Sequence, residues 1–499
     1  MELAFEETLY DSYENVYHTA LLREETMEAI VPDACPDILR VLDTVVTVCL
    51  NSKQTQNGYA ELSAAARLEI LYLPEGGGAV QRLTMSIPYR VTAESPALTD
   101  RSRLTVCLSV HRQEIRTLHS RKILARLELC FQLDAWERRR VNIPGGPGAD
   151  MPQSVQTLTA QQEMLAVTGV EEKAFSFSDE LELPMDLKEA ALLTGQADLV
   201  CSEARVIGGK LIVKGEARLS FLLLDGEGAL REETAPLPFS QIIECRDVEE
   251  EALCSVCLTL TEAAFRLAGN RVETDLGVLI QAVMRESRTV TYLTDVYSTE
   301  GSVTPEWYTG TWTELLESIT RRQSVRELLE TGTGVSAVLA ARVRLGKTEQ
   351  DRSQGTVSAA AHVTVLYRDD NGGLGTAFRS LPVTVSAELP EGAFCEANAA
   401  LEDAPSATAA AGGVEVRFSV SFTLQCQSAV SIRCIVEAEL SEGERSSGPS
   451  LILRRVREGE RLWDVAKGCG TTVEMIRAAN GMEGEELPDG RLLLIPRRR

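Results

Sequence analysis

Large aromatic side chains are scarce in this 499-residue chain: Phe, Trp and Tyr make up 5%, although 44% of the residues are hydrophobic. Cores must therefore be filled by Val, Leu and Ala, and that apolar share excludes wholesale disorder. Basic residues are also short, 50 Lys and Arg against 74 Asp and Glu, for a formal charge of −24. Nucleic-acid binding, which needs clustered cations to neutralise phosphate, is not expected. Four His residues leave little for acid–base or metal chemistry. No apolar run reaches the ~18 residues of a membrane-spanning helix. The first residues, MELAFEETLYDSYENVYH, carry acids where a secretory leader needs basic and then apolar residues. Twelve Cys are too few for a disulfide-stapled secreted scaffold. Together these features predict a cytoplasmic chain with reduced thiols.

Catalytic and metal motifs are incomplete where they occur at all. Cys254-Ser-Val-Cys257 lies in an alternating strand, so its two sulfurs should point to opposite faces, and no second pair completes a metal set. Gly346-Lys347-Thr348 ends like a phosphate loop, but Ala341 stands where its first glycine belongs, and a turn is expected there. His362 falls on the polar side of its strand, and Glu249-Glu250-Glu251 reads as a solvated loop. No HExxH or GxSxG motif occurs. The chain reads as a non-enzyme with no catalytic residue, metal site or cofactor.

What is present is a threefold repeat. Glu61–Val91, Lys210–Ile243 and Gly355–Val385 share one layout, with Tyr72, Leu223 and Tyr367 in one column, 151 and 144 residues apart. Each copy opens on strict alternation, as in Leu211, Val213, Ala217, Leu219, Phe221 and Leu223. A Gly-rich turn follows (Gly76–Gly78, Asp225–Gly228, Asn371–Gly373), then a second strand ending near Pro88, Pro238 or Pro382. Two further alternating runs follow in every copy, and Val45–Val48 and Ala197–Val200 add one upstream in the first two. Five or more such strands predict a small sandwich or barrel per copy. The fold expected is mainly β, with sandwich-like domains at 1–141, 155–293 and 323–440. Asn142–Ser154 and Ser441–Ser450 read as spacers, and 294–322 as a linker whose TWTELLESITRRQSVRELLE stretch has the leucine spacing of a connecting helix.

Residues 451–499 differ in kind, with ten Lys/Arg against eight Asp/Glu, so this segment is about +2 and the remainder about −26. A strand at Ile452–Val456 precedes a helix carrying Leu462, Trp463, Val465 and Ala466, with Gly468 or Gly470 at its end. Thr471-Thr472 can cap a second helix carrying Val473, Ile476 and Ala479, and Arg491–Ile495 closes as a strand.

On Val456, Gly459, Leu462-Trp463, Val465-Ala466, Asn480, Leu487, Gly490 and Ile495-Pro496, this βααβ segment resembles a LysM module. The resemblance implies a groove between the first strand–helix loop and the second helix–strand loop, lined by Gly459, Glu460, Arg461, Trp463, Asn480 and Leu487. Such grooves generally take N-acetylglucosamine glycans such as peptidoglycan. Arg461 stands where the family places a small hydroxyl, which favours protein docking over glycan. Trp463 serves equally well as core or contact in so small a module.

Val31-Pro32-Asp33-Ala34-Cys35-Pro36-Asp37-Ile38, with Ile87-Pro88-Tyr89 downstream, resembles the SPOCS domains of spore-coat proteins. Copy two keeps Leu183-Pro184-Met185-Asp186 of that signature, and copy three lacks it. The resemblance implies a coat-assembly protein of the mother-cell cytoplasm at the forespore surface, its partner a coat morphogenetic ATPase.

Overall fold

The computed structural model describes the chain except residues 185–189, 443–448, 458, 485–489 and 498–499. It is mainly β. Leu487, Met185 and Asp186, and most of the Ser441–Ser450 spacer, lie outside the described residues. Among the described residues no helix is long and apolar enough to cross a membrane.

Copy one has six strands: β1 (Phe5–Ile30), β2 (Ile38–Gln56), β3 (Tyr59–Pro74), β4 (Gln81–Glu94), β5 (Arg103–His119) and β6 (Lys122–Pro147). The inner three form an antiparallel meander, β2-β3-β4, while β1 pairs with β6 and β6 with β5. Alternation drives this arrangement: along β4, Leu83, Met85, Ile87, Tyr89, Val91 and Ala93 are buried and their neighbours exposed. The inward faces of both sheets share one core, including Leu68, Ile70, Tyr72, Ile87, Leu127 and Phe131. Copy two repeats the plan with β7 (Val155–Glu182), β8 (Ala191–Ile207), β9 (Lys210–Leu224), β10 (Leu230–Glu244), β11 (Leu253–Ala268) and β12 (Arg271–Ser298). Copy three does so with β13 (Gly301–Glu330), β14 (Val335–Asp351), β15 (Thr356–Asp369), β16 (Leu374–Ser386), β17 (Phe394–Leu401) and β19 (Gly413–Glu442). A short β18 (Ser406–Ala410) is added beside β19.

The connecting helix expected within 294–322 and beyond is instead strand β13, and copy three begins at Gly301 rather than 323. The helical leucine spacing is the product of a bulge at Leu315/Glu317, across which the inward positions shift by one. A ladder with β19 running from Gly301↔Glu442 to Glu330↔Gly413 satisfies the backbone and overrides the Glu- and Leu-rich helix propensity. The Asn142–Ser154 spacer is likewise partly strand, since β6 runs to Pro147 opposite Phe5. Gly346 and Lys347 form a bulge inside β14 rather than a terminal turn, and Thr348 Oγ1 donates to Ala397 O at 2.7 Å. His362 is half-buried, stacked on Phe378, and burial lowers its pKa.

The SPOCS-like signature is a structural turn. It joins β1 to β2 and closes over the β5–β6 hairpin: Arg121 Nη1 donates to Asp37 Oδ1 at 2.6 Å, Ser120 Oγ to Asp37 Oδ2 at 3.0 Å, and the Arg121 Nη2 group reaches the Val31 and Pro32 carbonyls at 3.1 Å. Tyr89 of the Ile-Pro-Tyr segment donates from its hydroxyl to Leu127 O at 2.7 Å.

The copies are not separate beads. Leu71, Leu222 and Leu366, each one residue before the repeat's aligned column, meet in one apolar cluster with Leu42, Leu193, Leu230 and Ala340. Related contacts cross each junction. Arg67 Nη1 donates to Ala263 O at 3.0 Å between copies one and two, and Arg218, 151 residues later, donates to Leu401 O at 3.3 Å between two and three. Thr376 Oγ1 donates to Leu42 O at 2.6 Å between three and one. The array therefore closes on itself. The long paired strands of the three copies also extend into arms that meet around Trp312, which stacks on Tyr10 at 5.5 Å and meets Tyr292 edge-on at 6.3 Å.

Reduced thiols throughout are not what the structure contains. Cys107 on β5 and Cys257 on β11 form a disulfide, as do Cys395 and Cys426. The first pair occupies matching Val-Cys-Leu positions 150 residues apart, which the closure of copies one and two brings face to face. Cys254 does point away from Cys257, into the copy-two core, where burial pushes its thiol up to about 11.

Candidate binding site

The carboxyl-terminal segment folds as β20 (Leu451–Arg455), α1 (Leu462–Cys469), α2 (Val473–Asn480) and β21 (Leu492–Pro496), with β20 and β21 antiparallel. Its core is small: Val456, Leu462, Val465, Ala466, Ile476, Leu493 and Ile495. Local signals act as their chemistry dictates. Gly470 (φ 63°) and Gly481 (φ 60°) end the helices in the left-handed region, and Thr472 Oγ1 accepts from Met475 N at 3.1 Å.

The expected groove residues are largely committed within the protein. Gly459 turns the first loop at φ 78°. Glu460 accepts from Arg457 N at 2.9 Å and from the Arg454 guanidinium, so it braces the loop. Arg461 is exposed but forks onto Asp464 at 2.9 and 3.0 Å, and that pairing lowers the Asp464 pKa. Asn480 is a staple between α2 and β21: Nδ2 donates to Ile476 O (2.7 Å) and Leu494 O (2.6 Å), and Oδ1 accepts from Leu494 N (2.8 Å).

Trp463 is 7% exposed, and its indole is turned toward the end of β12. Nε1–H donates to Asp295 Oδ2 at 2.8 Å, and the ring meets Tyr297 edge-on at 4.8 Å. Lys467 Nζ bridges both Asp295 oxygens at 2.7 and 2.9 Å, and Tyr297 Oη donates to Thr471 O at 2.8 Å. Burial, then the Asp295 and Glu474 charges, push the Tyr297 phenol up to about 12. The α1 face is thus docked on the end of β12. Asp295, Tyr297 and Lys467 escaped sequence reading because no local pattern marks them. The segment holding Asp295 and Tyr297 reads only as the edge of a linker.

Two clefts lie between copies. One of about 420 Å³ is lined by Leu230–Glu233 and Val338–Ala341; its Glu232 accepts from Ser220 Oγ at 2.8 Å, and burial raises its pKa. The other, about 440 Å³, holds Lys53 paired with Glu172 at 2.5 Å and Arg103 paired with Glu171 at 2.8 Å. Opposite charges in both pairs leave neither cation uncompensated. No protein-family model, curated protein or solved structure matches this chain.

Proposed function

We propose that the chain is a non-enzymatic assembly scaffold of the spore coat. In this reading the LysM-like module docks on a coat morphogenetic ATPase at the forespore surface, within the mother-cell cytoplasm. The domain order, three SPOCS-like copies followed by a LysM-like module, resembles that of the spore coat morphogenetic protein SipL. The observation that carries the reading is the division of labour between the two parts. Three copies converge on the Leu71, Leu222 and Leu366 cluster as one closed acidic array, and a slightly basic module is held at the end of one arm. The internal commitments of Trp463 and Asn480 weigh against a glycan groove at those two residues.

Fluorescent tagging of the full chain and of a version lacking 451–499, in a sporulating host, tests the scaffold reading. Forespore localisation should depend on the module, and localisation that survives its deletion overturns module-led recruitment. Pelleting with insoluble peptidoglycan, without capture of the ATPase, would turn the reading to glycan binding.

A further inference from the structure

Docking on β12 uses the α1 face of the module, and α2 packs against β21. The outer face of the β20–β21 sheet is left. Alternation turns Ile452 inward with Leu493 and Ile495, so Leu451, Leu453 and Arg455 face outward beside their ladder partners Pro496, Leu494 and Leu492. Leu451, Leu453 and Leu492 are 54, 64 and 55% exposed. Among the described residues no element makes a substantial contact with this face. Three leucines so exposed gather roughly 300 Å² of apolar surface, the size at which a patch on a soluble protein tends to be functional.

The charges carried by the two paired strands and their immediate flanks have one sign. Residues 451–457 and 491–497 contain five arginines and no acidic residue. Arg454 turns inward to Glu460, while Arg455 and Arg457 are exposed. A complementary partner therefore presents apolar side chains bordered by carboxylates. An area of this size is less than the ~800 Å² per side of a standard interface, so the arginine border must contribute and affinity should fall with salt.

We infer that the outer β20–β21 face, rather than the loop groove, is the surface by which the module takes an acidic-rimmed apolar face of its protein partner. The inference rests on the docking function proposed above. It is tested by measuring binding of the purified full chain to the purified coat ATPase. Leu453→Glu should weaken binding at least tenfold, and Leu453→Ser by less. Arg455→Glu should weaken binding and flatten its salt dependence, while Arg461→Ala should bind as wild type. Circular dichroism guards against misfolding, which the exposure of Leu453 makes the milder serine variant well placed to avoid. Wild-type affinity in Leu453→Glu with loss in Arg461→Ala overturns the face assignment and leaves the docking function standing. A wild-type chain that does not bind the ATPase overturns that function and this assignment with it. Concentration-dependent self-association abolished by Leu453→Glu, without ATPase binding, gives the face to a second copy of the chain and also overturns the inference.

Discussion

Trp463 and Asp295 stand 168 residues apart in sequence, yet the indole N–H of one donates to a carboxylate oxygen of the other at 2.8 Å. Asp295 also takes Lys467, so one carboxylate joins the module to the arm through two side chains of α1.

Asp295→Ala should release the module without unfolding it. Asn480 and Thr472 hold the module's internal bonds and are untouched by the change. Loss of charge-assisted hydrogen bonds to Asp295 should weaken docking by roughly 1–3 kcal/mol. Hydrogen exchange should quicken along Thr294–Tyr297 and the face of α1 that docks on β12, with the β20–β21 ladder still protected.

Docking should also fail in alkali. The Tyr297 phenol titrates near 12 in the folded protein, above the ordinary value of 10 for tyrosine. A raised folded value means its contribution is complete below pH 10 and is lost as the pH climbs through 12. Undocking, followed by the change in Trp463 fluorescence as its indole leaves Asp295, should therefore set in between pH 10 and 12. Tyr297→Phe should dock more weakly at neutral pH and lose that dependence.

Closure of the three copies predicts cooperative unfolding. Leu222 sits at the common cluster, where truncation leaves a cavity bordered by all three copies. Leu222→Ala should cost about 2–5 kcal/mol and shift a single urea transition of the repeats, instead of lowering the middle one of three. Three separable transitions would contradict the closed array.

Asp37 should couple the signature turn to acid. The Arg121 guanidinium, then the Ser120 hydroxyl, hold its carboxyl below the usual range. A depressed folded value gives stability that is present above about pH 4 and lost as the pH falls through the folded pKa. Asp37→Asn should melt below wild type at pH 7, and the gap should close in acid.

Between copies one and two, Cys107 and Cys257 should resist alkylation until reduced, then label together. Removing both should lower stability by about 2–4 kcal/mol under oxidising conditions. Beside them the buried Gln281 amide donates to Val106 O and accepts from Val106 N, both at 2.8 Å, and holds the same junction when the thiols are reduced.

Features that depend on neighbours along the chain are legible in the residues. Alternation in Leu211–Leu223 and in β4, glycine at the hairpin turns, and the Thr472, Gly470 and Gly481 caps each follow from local backbone chemistry, and each is where the residues place it. The long strands were less legible. Bulges at Asn15/Tyr17, Leu293/Asp295 and Leu315/Glu317 break the period of two, and in β13 the broken period imitates a helix. Long-range packing is what makes Leu71, Leu222 and Leu366 share one core, brings Cys107 to Cys257, and spends Trp463 and Asn480 internally. The physical reason is that a side chain's periodicity states which face it lies on, while its partner across that face is supplied by chain 100 or more residues away, about which local chemistry carries no information.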